Sequence, residues 1–148
     1  MKEATLTGKI NITPLDEGAN VAGLLVKVFS ADTEGAYCVM ELTLPPGGGA
    51  PYHVHHHEDE IITVIDGSLT VSSADGKDHA APVGSVVRLP KAVRHAFRNA
   101  SDAPVRVLIT AIPGGLDNYF AALGALGKDA TQDDVAAINR QFEIEFPT

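Results

Sequence analysis

Residues 47–67 read GGGAPYHVHHHEDEIITVIDG. A glycine run and a proline lead into His53, His55, His56 and His57, then Glu58, Asp59 and Glu60, a branched apolar run and an Asp-Gly turn. Alternate side chains of a strand share a face, so His53 and His55 project together. Strand alternation does not put Glu60 beside them. The polar run His56-His57-Glu58-Asp59 supplies a turn, after which Glu60-Ile61-Ile62-Thr63-Val64-Ile65 opens a new strand and returns a carboxylate to the two imidazoles. Imidazole and carboxylate are the ligands from which Zn, Fe, Ni, Cu and Mn sites are built. Two readings stand side by side: a solvated polar loop, which suits His56 and His57, and a ligand pair, which suits His53 and His55.

Outward from this stretch the chain is punctuated by Gly, Pro and Asp. Residues 4–13 (ATLTGKINIT) alternate as an edge strand would, and Pro14 to Gly18 reads as a turn. Residues 24–29, 37–44, 85–89, 95–99 and 105–112 are short runs rich in branched residues, and Ile61 to Ile65 is apolar on both faces, as in a strand buried between two layers. Asp66-Gly67 between two such runs predicts a hairpin, and Asp75-Gly76 repeats the device. Many short strands separated by turns predict an antiparallel sandwich or barrel. Composition changes at Pro113-Gly114-Gly115. Residues 117–126 carry apolar residues at helical spacing, and Thr131 is placed to cap a second helix with Asp133 and Asp134 in its first turn. The helices either pack on the sheets or also shape a pocket; their stripes fit both.

A chain of 148 residues is one domain able to bury a core without disulfide staples. Its net charge of −8 argues against nucleic-acid and anionic-membrane partners. No signal-like or membrane-length apolar run is present, and the single Cys38, in an apolar run, predicts a buried inert thiol. These features predict a cytoplasmic protein.

A further histidine, His95, follows a proline-made turn and opens a strand, whereas His79 sits in a polar loop with no partner nearby. Together the two histidine blocks resemble the cupin family. Its first motif, G-x5-H-x-H-x4-E-x6-G, falls on Gly47, His53, His55, Glu60 and Gly67. Its second, G-x5-P-x-G-x2-H-x3-N, falls on Gly84, Pro90, His95 and Asn99, with Ala92 where the family has glycine. The resemblance implies an all-β, antiparallel jelly-roll (double-stranded β-helix) barrel with two short C-terminal helices: barrel over 1–113, helical extension over 114–148. It implies one divalent transition metal ion (Fe, Mn, Ni, Zn, Cu or Co) held by His53, His55, Glu60 and His95, and a homodimer. The C-terminal pattern is similar to that of small quercetin dioxygenase-like cupins.

Four protein ligands on a six-coordinate metal leave two positions open. The expected activity is a metal-dependent dioxygenase acting on a small enolisable or aromatic molecule, with Glu60 as ligand and catalytic base. A non-redox isomerase or lyase, and a metal- or small-ligand-binding protein without turnover, remain the alternatives.

Overall fold

The turn residues cut the chain into short strands, and the alternation within each decides which side meets the core. The computed structural model describes residues 8–147. Its strands are β1 (Ala19–Val21), β2 (Leu24–Val28), β3 (Cys38–Leu44), β4 (Gly49–His55), β5 (Asp59–Asp66), β6 (Leu69–Ser72), β7 (Asp78–Ala81), β8 (Val86–Leu89), β9 (His95–Arg98) and β10 (Val105–Ile112). Helices α1 (Leu116–Gly124) and α2 (Gln132–Gln141) follow, and then a two-residue strand, β11 (Ile144–Glu145). Of the edge strand expected over 4–13, residues 4–7 lie outside the described residues and 8–13 carry no strand. No helix among the described residues is long and apolar enough to cross a membrane.

Two antiparallel sheets face each other: a six-stranded sheet in the order β1-β2-β3-β10-β5-β8 and a five-stranded sheet in the order β11-β4-β9-β6-β7. The chain changes sheet at nearly every connection from β3 to β10, which is a jelly-roll-like path. The expected closed barrel is not formed. Among the described residues no ladder joins the two sheets, so β1 and β8 are edges of one and β11 and β7 of the other. The physical reason lies in the corners. Each change of sheet falls on a turn such as Pro45–Gly48, His56–Glu58 or Pro90–Arg94, so no strand runs through to pair with both sheets. Corners carry one or two backbone bonds rather than a ladder, such as Gly47 N–H to Asn99 O at 2.9 Å and Ala92 N–H to His55 O at 2.7 Å.

The Asp66-Gly67 turn is likewise a corner, not the expected hairpin, because β5 and β6 belong to different sheets. Gly67 has φ 80°, and a Cβ there would lie 2.9 Å from Val105 Cγ2. Asp75-Gly76, by contrast, does join a true hairpin, with Ser72 opposite Asp78.

The core lies between the sheets. Val105, Val107, Ile109 and Ala111 of β10 all point inward, as do Ile62 and Val64 of β5 and Met40 and Leu44 of β3. Burying each large aliphatic side chain contributes about 1.5–3 kcal/mol. Ile61, Thr63 and Ile65, on the other face of β5, are half-buried, so that strand has one core face rather than the two its sequence predicts. Cys38 is fully buried, and burial pushes its thiol up, with the Asp117 carboxylate adding to the effect.

Helix α1 is pinned at its start by the buried Asp117, which accepts from Ser30 N–H at 2.9 Å and Ser30 Oγ at 2.6 Å. Helix α2 begins with a reciprocal cap: Asp134 N–H donates to Thr131 Oγ1 and Thr131 N–H to Asp134 Oδ2.

Asn99, fully buried, ties the turn ahead of β4 to the end of β9. Its Nδ2 donates to Leu44 O (3.0 Å) and Ala103 O (2.8 Å), and its Oδ1 accepts from Ser101 N–H and Oγ. Asn99→Ala takes a donor from the buried Leu44 carbonyl and the acceptor from Ser101 N–H, and is expected to cost roughly 1–3 kcal/mol. Urea denaturation checks this: the midpoint should fall at unchanged slope.

Candidate metal centre

The site spans both sheets. His53 and His55 lie on the inner face of β4, His95 opens β9 beside it, and Glu60 comes from β5 in the opposite sheet. The β4–β9 register slips by one residue between the pairs Ala50–Phe97 and His53–His95. The extra residue falls at Pro51-Tyr52, where proline has no N–H for the ladder, so a bulge costs little there. The slip sets His53 directly opposite His95. Across the corner, Ala92 takes a left-handed φ of 65° while its N–H holds His55 O. The turn therefore keeps a conformation that favours glycine despite the side chain, at a cost of roughly 1–2 kcal/mol.

All four side chains are buried, and their ligand atoms lie within 4.8 Å of one another. The ring centroid of His53 is 4.8 Å from that of His55 and 4.5 Å from that of His95. Glu60 Oε1 is 2.9 Å from His55 Nε2 and 3.4 Å from His95 Nε2.

The far nitrogen of every ring is tied. His53 Nδ1 meets Pro51 O at 2.7 Å, His55 Nδ1 meets Glu58 Oε1 at 2.9 Å and His95 Nδ1 meets Val93 O at 3.2 Å. Each contact makes Nδ1 a donor and leaves Nε2 to converge on the centre, which is how histidine ligands are oriented. Glu60 Oε1 and His95 Nε2 are shut away from water, with only the ring nitrogens and carboxylate of the cluster itself beside them. A cation between them would satisfy both, and the donor set suits a divalent transition metal.

Without metal, the cluster's groups are held in different protonation states. Burial pushes His53 down to about 4, so it is neutral near pH 7. Burial would lower His55 too, but the flanking Glu58 and Glu60 carboxylates overcome it and hold it at about 9. Burial alone would raise Glu60; the facing His55 and His95 rings pull it down instead, to about 2.

Of the remaining histidines, His56 and His57 are exposed and turn away from the cluster, toward Glu145 (3.0 Å) and Glu143 (3.7 Å). His79 is exposed against Ser73. Arg94 stacks over Tyr52 and Arg106 pairs with Asp16. Glu58 is the residue that sequence reasoning passes over as part of a polar turn; it is buried at 3% exposure and orients His55. Its signal was available, as a carboxylate three positions after an expected ligand.

A cavity of about 350 Å³ opens on His53, His55 and Glu60. Its other walls are apolar: Leu24, Leu44, Phe97 and Ile109 from the sheets, and Leu116, Tyr119, Phe120 and Leu123 from α1. Helix α1 thus both packs on the sheets and shapes the pocket. The Tyr119 hydroxyl is occupied by Asn139 at 2.7 Å.

The family model described as Cupin domain matches residues 40–111. Protein SchB of Streptomyces halstedii is 31% identical over 91 residues, which is 62% of this chain and 64% of that protein. The chain spans less than two thirds of the length of the curated relatives it matches. Among solved structures, a predicted oxalate decarboxylase of Thermotoga maritima superposes with a TM-score of 0.56 at 23% identity, covering 61% of this chain and 78% of that one. A sugar phosphate isomerase from a cupin superfamily, from Silicibacter pomeroyi, gives a TM-score of 0.51 at 25% identity, covering 68% of each chain.

Three expectations follow from the tethers and the charges. Glu58→Ala should weaken divalent-metal affinity by about 10–100-fold, because it frees the far nitrogen of His55. His56→Ala should leave the affinity unchanged; competition with a chromogenic chelator measures both. Metal must also displace the proton that His55 holds below about pH 9. Binding at pH 7 should therefore release about one proton, falling toward none above that value. Calorimetry in buffers of different ionisation enthalpy reads this number, and zero release at pH 7 would contradict the His55 assignment.

Proposed function

This chain belongs to the cupin superfamily, and from that premise we propose that it is a metal-dependent dioxygenase acting on a small enolisable or aromatic molecule. The observation that carries the reading is one wall of convergent, buried donors in an otherwise apolar chamber. A divalent ion held by His53, His55, Glu60 and His95 would supply Lewis acidity and, if redox-active, a path for dioxygen to react with an electron-rich substrate.

The chain's own residues do the rest. The leucines and aromatic rings of the chamber exclude water and fit the apolar body of the substrate. Only the histidine–glutamate wall is polar, so the substrate must turn its oxygen atoms to that wall. Glu60 is the proton acceptor: apart from the imidazoles, no other lining side chain has a free acid or base, since the Tyr119 hydroxyl is engaged. It would take the proton that an enol loses on activation.

The activities named for the two structural neighbours fit less well. Oxalate and sugar phosphates carry little apolar surface to match these walls, and apart from a bound metal no lysine or arginine lines the chamber to share their charge.

The test uses protein prepared without a histidine tag or nickel column. Elemental analysis should find a redox-capable metal near one equivalent, and an oxygen electrode should record uptake with flavonols or related enols. Glu60→Gln should lower the turnover by about 100-fold or more. Metal-dependent turnover without oxygen uptake would move the assignment to a Lewis-acid isomerase or lyase. Failure to bind metal on reconstitution would leave a binding protein.

A further inference from the structure

We propose that Phe146 controls access to the chamber and so determines which molecules reach the histidine cluster. Its ring stacks on His53, with centroids 5.5 Å apart and planes at 27°. It also lies between two spaces. One is the chamber; the other is an open cleft of about 530 Å³ beside α2, lined by Val135, Ala136, Asn139 and Arg140 among others. Ile144 and Phe146 line both.

The two side chains differ in their freedom. Ile144 is buried at 4% exposure within β11, whereas Phe146 is 42% exposed. Every other large apolar side chain around the chamber is buried or half-buried. Phe146 is thus the wall that can move without disturbing the core, and the cleft beside α2 is space for its ring.

The strap that carries it is fixed at its base. Strand β11 makes only two pairings with β4, Ile144 with His55 and Glu145 with Val54. His56 N–H adds a bond to Glu143 O at 2.9 Å, and the rings of His56 and His57 face Glu145 and Glu143. This accounts for the half of the histidine run that does not face the cluster: it anchors the strap beside the ligand strand. Phe146 lies one residue past the ladder, so its ring can swing while the base stays paired. Short, solvent-exposed ladders belong to the low-stability end of a structure.

Phe146 has this role only if substrate meets the cluster in this chamber, as proposed above. The test is therefore made on metal-free protein, so that it stands whatever ion or reaction the site carries. Diethyl pyrocarbonate modifies neutral imidazoles, and His53 offers it only Nε2, because Nδ1 is tied to Pro51 O. The rate at each histidine is followed by peptide mapping with mass spectrometry.

Phe146→Ala should speed modification of His53 about tenfold, by leaving the chamber open. Phe146→Trp should slow it below the unsubstituted protein, and His79, exposed elsewhere, should react alike in all three. The tryptophan variant keeps the test decisive if the alanine variant folds poorly. His53 rates that ignore the size of residue 146 would overturn the proposal.

Discussion

Three imidazoles and a carboxylate are held inside an apolar core, and their desolvation is the constraint on which the rest depends. A buried ionisable group without partners costs several kcal/mol, so such a cluster persists only where every polar atom has a use. Here each ring spends its Nδ1 on a fixed oxygen: Pro51 O, Glu58 Oε1 and Val93 O. What remains, three Nε2 atoms and Glu60, points at one place. The same tethers that limit the cost of burial also aim the side chains, so stability and binding geometry rest on the same bonds.

That constraint explains two local irregularities. The bulge at Pro51-Tyr52 interrupts the β4–β9 ladder, yet without it His53 would not stand opposite His95. Ala92 occupies a conformation better suited to glycine, and its N–H reaches His55 O. Both depart from ideal backbone beside the cluster, where the placement of imidazoles outweighs about a kilocalorie of local preference.

How much of this was legible depended on distance along the chain. The tetrad was readable because its spacing is set by short segments: a strand, a turn and a strand bring His53, His55 and Glu60 together, and the Pro90 turn adds His95. The cap at Thr131 was equally local. The corners were not. Asp66-Gly67 and Asp75-Gly76 carry the same hairpin signal, but only the second closes a hairpin. What separates them is the sheet in which the next strand finds its partner, and β6 finds β9, which lies far along the sequence. Closure of a barrel poses the same question for whole edges, and alternation of side chains says nothing about it. The role of α1 was half-visible: an apolar stripe is the same whether it meets a core or a cavity.

The chamber's lining then does more than enclose. With nearly all polarity on one wall, a molecule bound there would have one favourable orientation, because any other would bury its oxygen atoms against leucine and phenylalanine without partners. Orientation is thus obtained without a dedicated polar group for each substrate atom. The same lining offers an anion little beyond the metal site itself, because no lysine or arginine lines this space. A fold shared with proteins named for oxalate and sugar phosphates can therefore serve a different substrate class, since the side chains on the chamber walls, rather than the sheets that carry them, decide which molecules can lose their water there.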